Sequence, residues 1–397
     1  MATLIELGVV EGFILDDPIA GVLDNTEYTL GGVSFADITP ALVEAVVTRG
    51  KNRDLDKFRA GKASIELRNE NRAFDPLNTA SPYAGSIIPR REVRVSVDGE
   101  RVFTGIIQDW NLDYSPDGQS RAEIAAVDDM TLLARQVLTP GTATPQKTGA
   151  RVSAVLDMES VAWPAARRQI DTGSSDFGAD VFDGNALDYL QTVAVASEQG
   201  QLFVSKTGDL VFTGRLAATP STGSFVTFAD DGTGIPYTTV RVNYGSELLY
   251  NRATVTSPAG TVTANNDRSQ IAYGVSDYDL ATALSELDET TSLAAFLVQK
   301  YADPEYRFEA VEVNVDQLQT SQRTAILGLE LGDVLQIKFT PNRVGSQIAQ
   351  FGQVIRIDND IRQDRHDMII GVASLDWNFL VLDDAEFGII GTNHLAF

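Results

Sequence analysis

Apolar and polar positions alternate along two stretches of this chain, and between them the spacing turns helical. Ala63-Ser64-Ile65-Glu66-Leu67-Arg68-Asn69 places every second residue on an apolar face, as a strand with one buried side requires. Val93, Val95 and Val97 repeat the pattern, Asp98-Gly99 supplies a tight hairpin turn, and Val102 to Trp110 returns. Pro116-Asp117-Gly118 marks a second hairpin before Ala122 to Asp128. Strands joined by such short turns predict a small antiparallel barrel or sandwich. Then the period changes. Val152, Val155 and Leu156 share a helical face that Trp163-Pro164 ends, and Leu187, Leu190, Val193 and Ala194 predict a second amphipathic helix over Asn185 to Ser197. Gln201 to Val204 and Leu210 to Phe212 flank the turn Lys206-Thr207-Gly208-Asp209. The β pattern resumes at Val240 to Tyr244 and Arg252 to Thr256, and a helix is predicted over Thr290 to Tyr301, before Asp303-Pro304. Four further strands are expected at Ala310–Val315, Val334–Phe339, Gln350–Ile357 and Met368–Ala373.

This order predicts an α+β chain that is predominantly β. Its expected parts are an N-terminal arm over 1–32, a first small antiparallel β-barrel over 33–142, an inserted α+β unit over 143–235, a second β-barrel with an embedded helix over 236–374, and a C-terminal arm over 375–397. Thr139 to Pro145 reads as a linker. The two barrels are expected to be related, because Phe103-Thr104-Gly105-Ile106-Ile107-Gln108-Asp109 and Phe351-Gly352-Gln353-Val354-Ile355-Arg356-Ile357 each open with Phe and a nearby Gly before an apolar run. In the N-terminal arm, Asp16-Asp17-Pro18 and the glycines exclude a continuous helix. Leu15-Asp16-Asp17 recurs as Leu382-Asp383-Asp384, each followed after three residues by Gly and two aliphatics. Either this is chance or a shared turn preference, or both ends dock in equivalent grooves of neighbouring subunits. On the second reading the docking residues are Leu15, Leu23, Phe379, Leu382, Phe387 and Phe397.

The succession of motifs resembles the minor tail or baseplate hub proteins of long-tailed, siphophage-type bacteriophages. It runs from Phe58-x-x-Gly61-x-Ala63-x-Ile65-x-Leu67 through Phe74-Asp75-Pro76-Leu77-Asn78, Ser81-Pro82-Tyr83, an Arg-rich strand and Phe103-Thr104-Gly105. Gly184-Asn185-Ala186-Leu187-Asp188, Gly208-Asp209-Leu210-Val211-Phe212 and Leu329-Glu330-Leu331-Gly332-Asp333 continue it. Their order, rather than any one motif, carries the likeness over most of the chain. The resemblance implies a homotrimer whose two barrels per subunit match a hexameric tail tube to a three-fold tip. Its partners would be a tail tube or distal tail protein above and other minor tail or tip proteins below, with phage DNA passing through transiently. The place implied is the distal end of the tail in the virion, after assembly in the host bacterial cytoplasm. Neither a cofactor nor a membrane anchor is implied.

Charge bears on the DNA path. The 397 residues carry 55 acids against 31 Lys and Arg, a net charge of −24, which disfavours tight phosphate contacts. The surplus serves solubility or forms a channel wall along which DNA slides. On the latter reading the lumen acids are Asp109, Asp113, Asp117, Asp358 and Asp360; on the former they are solvent-facing turn residues. An apolar content of 43% suits a packed core. No apolar run approaches the roughly 20 residues of a membrane span, no secretory signal is evident, and the absence of cysteine points to a reducing compartment.

Little in the chain points to catalysis. His366 lies in the polar run Arg362 to Asp367 and His394 near the C-terminus, both expected in solvent and without a second His at ligand spacing. No Gly-x-Ser-x-Gly elbow occurs, and Gly61-Lys62 lacks the upstream glycine of a phosphate loop. Asp230-Asp231-Gly232-Thr233-Gly234 and Asp358-Asn359-Asp360 read as turns rather than calcium loops. Trp110 is expected in the core. The expectation is therefore a structural protein with no catalytic, cofactor or metal residues. Its rivals are a carbohydrate-binding tail-tip protein that touches the host envelope and a tail-associated hydrolase whose two carboxylates sequence cannot pick out.

Overall fold

The computed structural model describes residues 1–9, 34–215 and 225–375. Thirteen strands join in one sheet: β1 (Thr3–Val9), β2 (Ser34–Asp37), β3 (Leu42–Gly50), β4 (Arg59–Arg68), β5 (Glu92–Val97), β6 (Glu100–Asp113), β7 (Arg121–Val127), β8 (Val226–Ala229), β9 (Thr239–Tyr244), β10 (Tyr306–Asn314), β11 (Val334–Phe339), β12 (Ile348–Arg362) and β13 (His366–Leu375). Their order is β9-β10-β13-β12-β3-β4-β7-β6-β5-β1-β2, with β11 on the other part of the β12 edge and β8 outside β11. The predominantly β character follows from the alternation. The pairing does not follow two separate barrels, because β12 pairs with β3 from Arg356↔Gly50 to Arg362↔Glu44 and fuses the two halves. Among the described residues the hydrogen-bonded path does not close on itself.

Local chemistry sets the joints. Asp98 and Gly99 both take positive φ, 50° and 85°, which is what a two-residue turn between β5 and β6 demands. At the seam Gly50 has φ 113°, and a Cβ there would collide with the Ile355 carbonyl oxygen. A side chain at that position would push the halves apart. The expected N-terminal arm begins as a strand: Ile5 and Leu7 are fully buried, and β1 pairs with both β2 and β5. Alternation in Leu4-Ile5-Glu6-Leu7 already puts those two on one face.

Between β7 and β8 the chain builds the α+β unit. Helices α1 (Met130–Arg135) and α2 (Thr148–Leu156) precede a helical run over Ala186–Glu198 that passes through a π-turn segment at Leu190–Val195. Asn185 caps that run by accepting from the Asp188 N–H at 2.8 Å. The hairpin Gln201–Val204 and Leu210–Thr213 adds the short strand Arg168–Ile170 in parallel. The expected linker is partly a strand, since Gly141–Ala143 pairs with Asp180–Phe182. Val226–Ala229, expected in this unit, instead pairs in parallel with β11 in the large sheet.

A second insertion separates β9 from β10. Arg252 to Thr256, expected among the barrel strands, lies in the strand Arg252–Ser257, which among the described residues pairs only with Gly260–Asn265 and Asp277–Ala281. Helix α3 (Leu287–Tyr301) covers this three-stranded sheet, and Ala253, Val255, Leu293 and Leu297 form a core separate from the main one. Asp54, in the loop after β3, clasps the unit: its Oδ2 accepts from Lys300 Nζ at 2.8 Å and Tyr301 Oη at 2.7 Å. Burial alone would raise the Asp54 carboxyl, but Lys300 and Lys51 beside it hold it well below the usual carboxylate range. Helix α4 (Thr320–Gly328) follows β10 and rests on β6.

Candidate functional site

Across β12, β3, β4, β7 and the second half of β6, one face of the sheet is apolar and the other is charged. Ala45 and Val47 of β3, Ile65 and Leu67 of β4, Ile124 of β7 and Ile357 and Ile361 of β12 are buried. The intervening residues make the opposite face, and the register decides which of them are neighbours. Asp109 stands opposite Ala125, and Asp113 opposite Arg121, in the β6–β7 pair. Glu123 then faces Glu66, Glu66 faces Glu44, Glu44 faces Arg362, and Asp358 and Asp360 face Thr48 and Val46. Four of the five sequence-picked acids, Asp109, Asp113, Asp358 and Asp360, thus share this face. Asp117 lies at the exposed β6–β7 turn, where it accepts from the Gln119 N–H at 3.1 Å.

The acids are not equivalent. Asp358 pairs with Arg356 at 2.7 Å and Asp360 with Arg362 at 3.3 Å, while Arg362 also reaches Glu44. Asp109 and Asp113 are exposed, and among the described residues neither forms an ion pair. Glu123 receives Ser64 Oγ at 2.6 Å and Asn111 Nδ2 at 3.3 Å. Asp358-Asn359-Asp360 is the interior of β12 and not the turn expected from sequence. Alternation sends Asn359 to the apolar side, where its Oδ1 lies 2.8 Å from His366 Nε2.

His366 overturns its expectation as a solvated residue. It is fully buried, and burial pushes its imidazole down to about 4 against the opposing pull of Asp316. Trp110 is partly rather than fully buried, stacked 6.2 Å from Phe74, which itself stacks on Tyr83. Asp230-Asp231-Gly232-Thr233 is a turn as expected; Asp231 accepts from the Thr233 side chain and N–H, which draws its carboxyl down to about 2. His394 and the arm residues Leu15, Leu23, Phe379, Leu382, Phe387 and Phe397 lie outside the described residues.

The charged face holds a cavity of about 320 Å³ between β9, β10, β13, β12, the loop after β3 and the end of α3. Its floor is the row Arg241, Ala310, Gly371, Arg356, in which Ala310 and Gly371 leave a saddle between two arginines. Each lining cation is matched within or beside the wall: Arg53 with Glu247, Arg241 with Glu312, Lys300 with Asp54, Arg307 with Glu305 and Arg356 with Asp358. Those pairs leave no lining cation unmatched for an anionic ligand, while Glu309 of the same wall accepts only from Asn243 Nδ2 among the described residues. Among the described residues no group of three or more His, Asp or Glu side chains could hold a metal, and no helix is long and apolar enough to cross a membrane.

No family model matches the sequence, and no curated protein matches it. The fold, by contrast, matches solved structures over nearly the whole chain. A tail protein from Neisseria meningitidis superposes with a TM-score of 0.61 at 11% identity, over 95% of this chain and 97% of that one. The 43 kDa tail protein of prophage MuSo2 from Shewanella oneidensis gives 0.57 at 12% identity, over 94% and 97%. The prophage tail protein gp18 from Listeria monocytogenes gives 0.51 at 10% identity, over 94% and 95%. The likeness thus includes both inserted units as well as the sheet.

Proposed function

We propose that this chain is a structural subunit of a phage tail. In this reading three copies form a ring in the virion, at the distal end of the tail between a tail tube or distal tail protein and other tip proteins. The observation that carries the reading is end-to-end similarity of fold to three proteins described as tail proteins, with both chains covered almost completely. A shared module inside a larger enzyme would instead leave much of one chain uncovered.

The charged sheet face is our candidate for the DNA-facing wall. Its support is the register, which gathers Asp109, Asp113, Asp358 and Asp360 with Glu44, Glu66 and Glu123 on one side, in excess over Lys62, Arg68, Arg121, Arg356 and Arg362 on that same side. Such a surface repels phosphate within a Debye length of about 8–10 Å. The role is read as non-enzymatic, and the terminal arms as docking segments.

The direct test is sedimentation or native mass spectrometry followed by imaging of labelled tails. A species of three times 42.9 kDa, with label at the distal end, is expected. A monomer at all concentrations and no label on tails would refute the ring. Truncation after Asp376 should leave the sheet folded yet lower incorporation into tails; normal incorporation would refute arm docking. Incubation with peptidoglycan should give no soluble fragments; turnover abolished by one Asp or Glu substitution would make it a hydrolase.

A further inference from the structure

A buried carboxyl sits where the sheet becomes the first inserted unit. Asp128 follows the last residue of β7 and is 3% exposed. Its Oδ2 accepts from the Gly61 N–H of β4 at 2.6 Å, and its Oδ1 accepts from the Met130 N–H at the start of α1 at 3.0 Å. One oxygen therefore holds the sheet and the other holds the inserted unit. Gly61 is required for this approach, because a Cβ there would come within 2.9 Å of Oδ2 and 3.0 Å of the Arg49 stem.

The surroundings make the same junction a meeting of three parts. Arg49, at a bulge of β3, is 3% exposed; it donates to the Val204 carbonyl of the inserted hairpin at 3.0 Å and to Glu330 at 2.6 Å. Glu330 also accepts the Lys206 N–H at 2.8 Å, and Lys206 Nζ donates to the carbonyls of Leu327 and Gly328 at the end of α4. Asp129 pairs with Arg167 at 2.8 Å. The ionisable groups facing Asp128 are thus Arg49 from β3 and Asp129 beside it, with Glu330 and Lys206 one contact further.

We propose that Asp128 is a proton-operated pin that fastens the inserted unit to the sheet when ionised and releases one of the two ties when protonated. The chemistry is a count of acceptors. An ionised carboxylate serves both N–H groups at once, whereas a protonated one turns an oxygen into a donor and leaves either the Gly61 or the Met130 N–H without a good acceptor. Burial pushes the Asp128 carboxyl up to about 7, against the lowering pull of those two N–H groups and Arg49. The change of state accordingly falls near neutral pH rather than near 4.

The test is amide hydrogen exchange at Gly61 and Met130 from pH 5.5 to 8.5 on the full chain, corrected for intrinsic rates. Protection of at least one of them is expected to rise about tenfold or more through neutrality, and Asp128→Asn should flatten the profile. If that variant does not fold, a carbon-13 titration of the Asp128 carboxyl in the unmodified protein decides. A midpoint between pH 6 and 8 supports the pin; a midpoint near 4, or a pH-independent protection profile, overturns it.

Discussion

β6 and β12 are the two longest strands, and each bulges in the middle. β6 pairs with β5 over its first half and with β7 over its second, with Gln108 left over at the bulge. β12 keeps β13 along one edge, while its other edge passes from β11 to β3 around Ile355. They also run the same way, since four antiparallel steps through β3, β4 and β7 separate them. Their charged faces differ. Asp358 and Asp360 are each matched by an arginine two residues away on β12, while Asp109 and Asp113 form no ion pair among the described residues. In one strand alternation builds a self-neutralising ladder, in the other a source of field. Two long strands of one sheet with the same alternation thus carry their charges in different ways.

The sharpest way to break the comparison is to open the β3–β12 seam that joins the two halves of the sheet. Gly50→Val should cost about 4–5 kcal/mol, or prevent folding, since it opposes both a positive φ and the Ile355 carbonyl. Chemical denaturation of the purified variant measures it; a loss under about 1 kcal/mol would show the seam to be loose. Next comes the pair of phenylalanines that first suggested kinship. Phe103 is 1% exposed, so Phe103→Ala should cost about 3–5 kcal/mol. Phe351, half-buried and edge-on to Phe225 at 5.5 Å, should cost clearly less in the same assay. Equal losses would contradict the burial.

These phenylalanines also mark how far the sequence could be read. Alternation at Ala63 to Leu67 and at Val93 to Val97 located the strands of the first half, and the Phe103 and Phe351 segments each lie in a long strand, β6 and β12. The β3–β12 seam was invisible, because pairing between strands some 300 residues apart leaves no local periodicity. Yet a signal for the buried polar sites was present. Arg49 continues the apolar phase of Ala45 and Val47, Asn359 sits between Ile357 and Ile361, and His366 precedes Met368, Ile370 and Val372 in step. A polar residue in an apolar phase marks a buried bond, whereas local polarity alone placed His366 in solvent. Arg252 to Thr256 misled for the opposite reason: alternation shows that a strand has a core face but not which core it joins.

The third prediction separates the halves by pH. His366 belongs only to the β12 side, and its folded value of about 4 lies below the ordinary imidazole value of 6.5. Protons bind the unfolded chain first, so the contribution is whole above about pH 6.5 and is lost as pH falls toward 4, amounting to about 3 kcal/mol. His366→Gln should remove that slope in denaturation measured from pH 7.5 to 4; an unchanged slope would assign it to other groups. The smallest effect concerns the ladder itself. Asp358→Asn removes the partner of Arg356 and should cost about 1 kcal/mol, while Asp109→Asn should leave the denaturation midpoint unmoved. Reversal of that ranking would mean the bare acid is the structural one.

The seam has a mechanical consequence. Seven backbone pairs from Gly50 to Glu44 lie side by side along β12. A force along the strands loads all of those bonds in parallel, rather than opening them one after another as in peeling. The two halves must therefore move as one stiff plate, and a pull at the β12–β13 end reaches β6 and β7 with little loss. Compliance is left to the attachments of the two inserted units. A load applied at one end of the sheet is carried across its width through these parallel bonds, and give is confined to the inserted units.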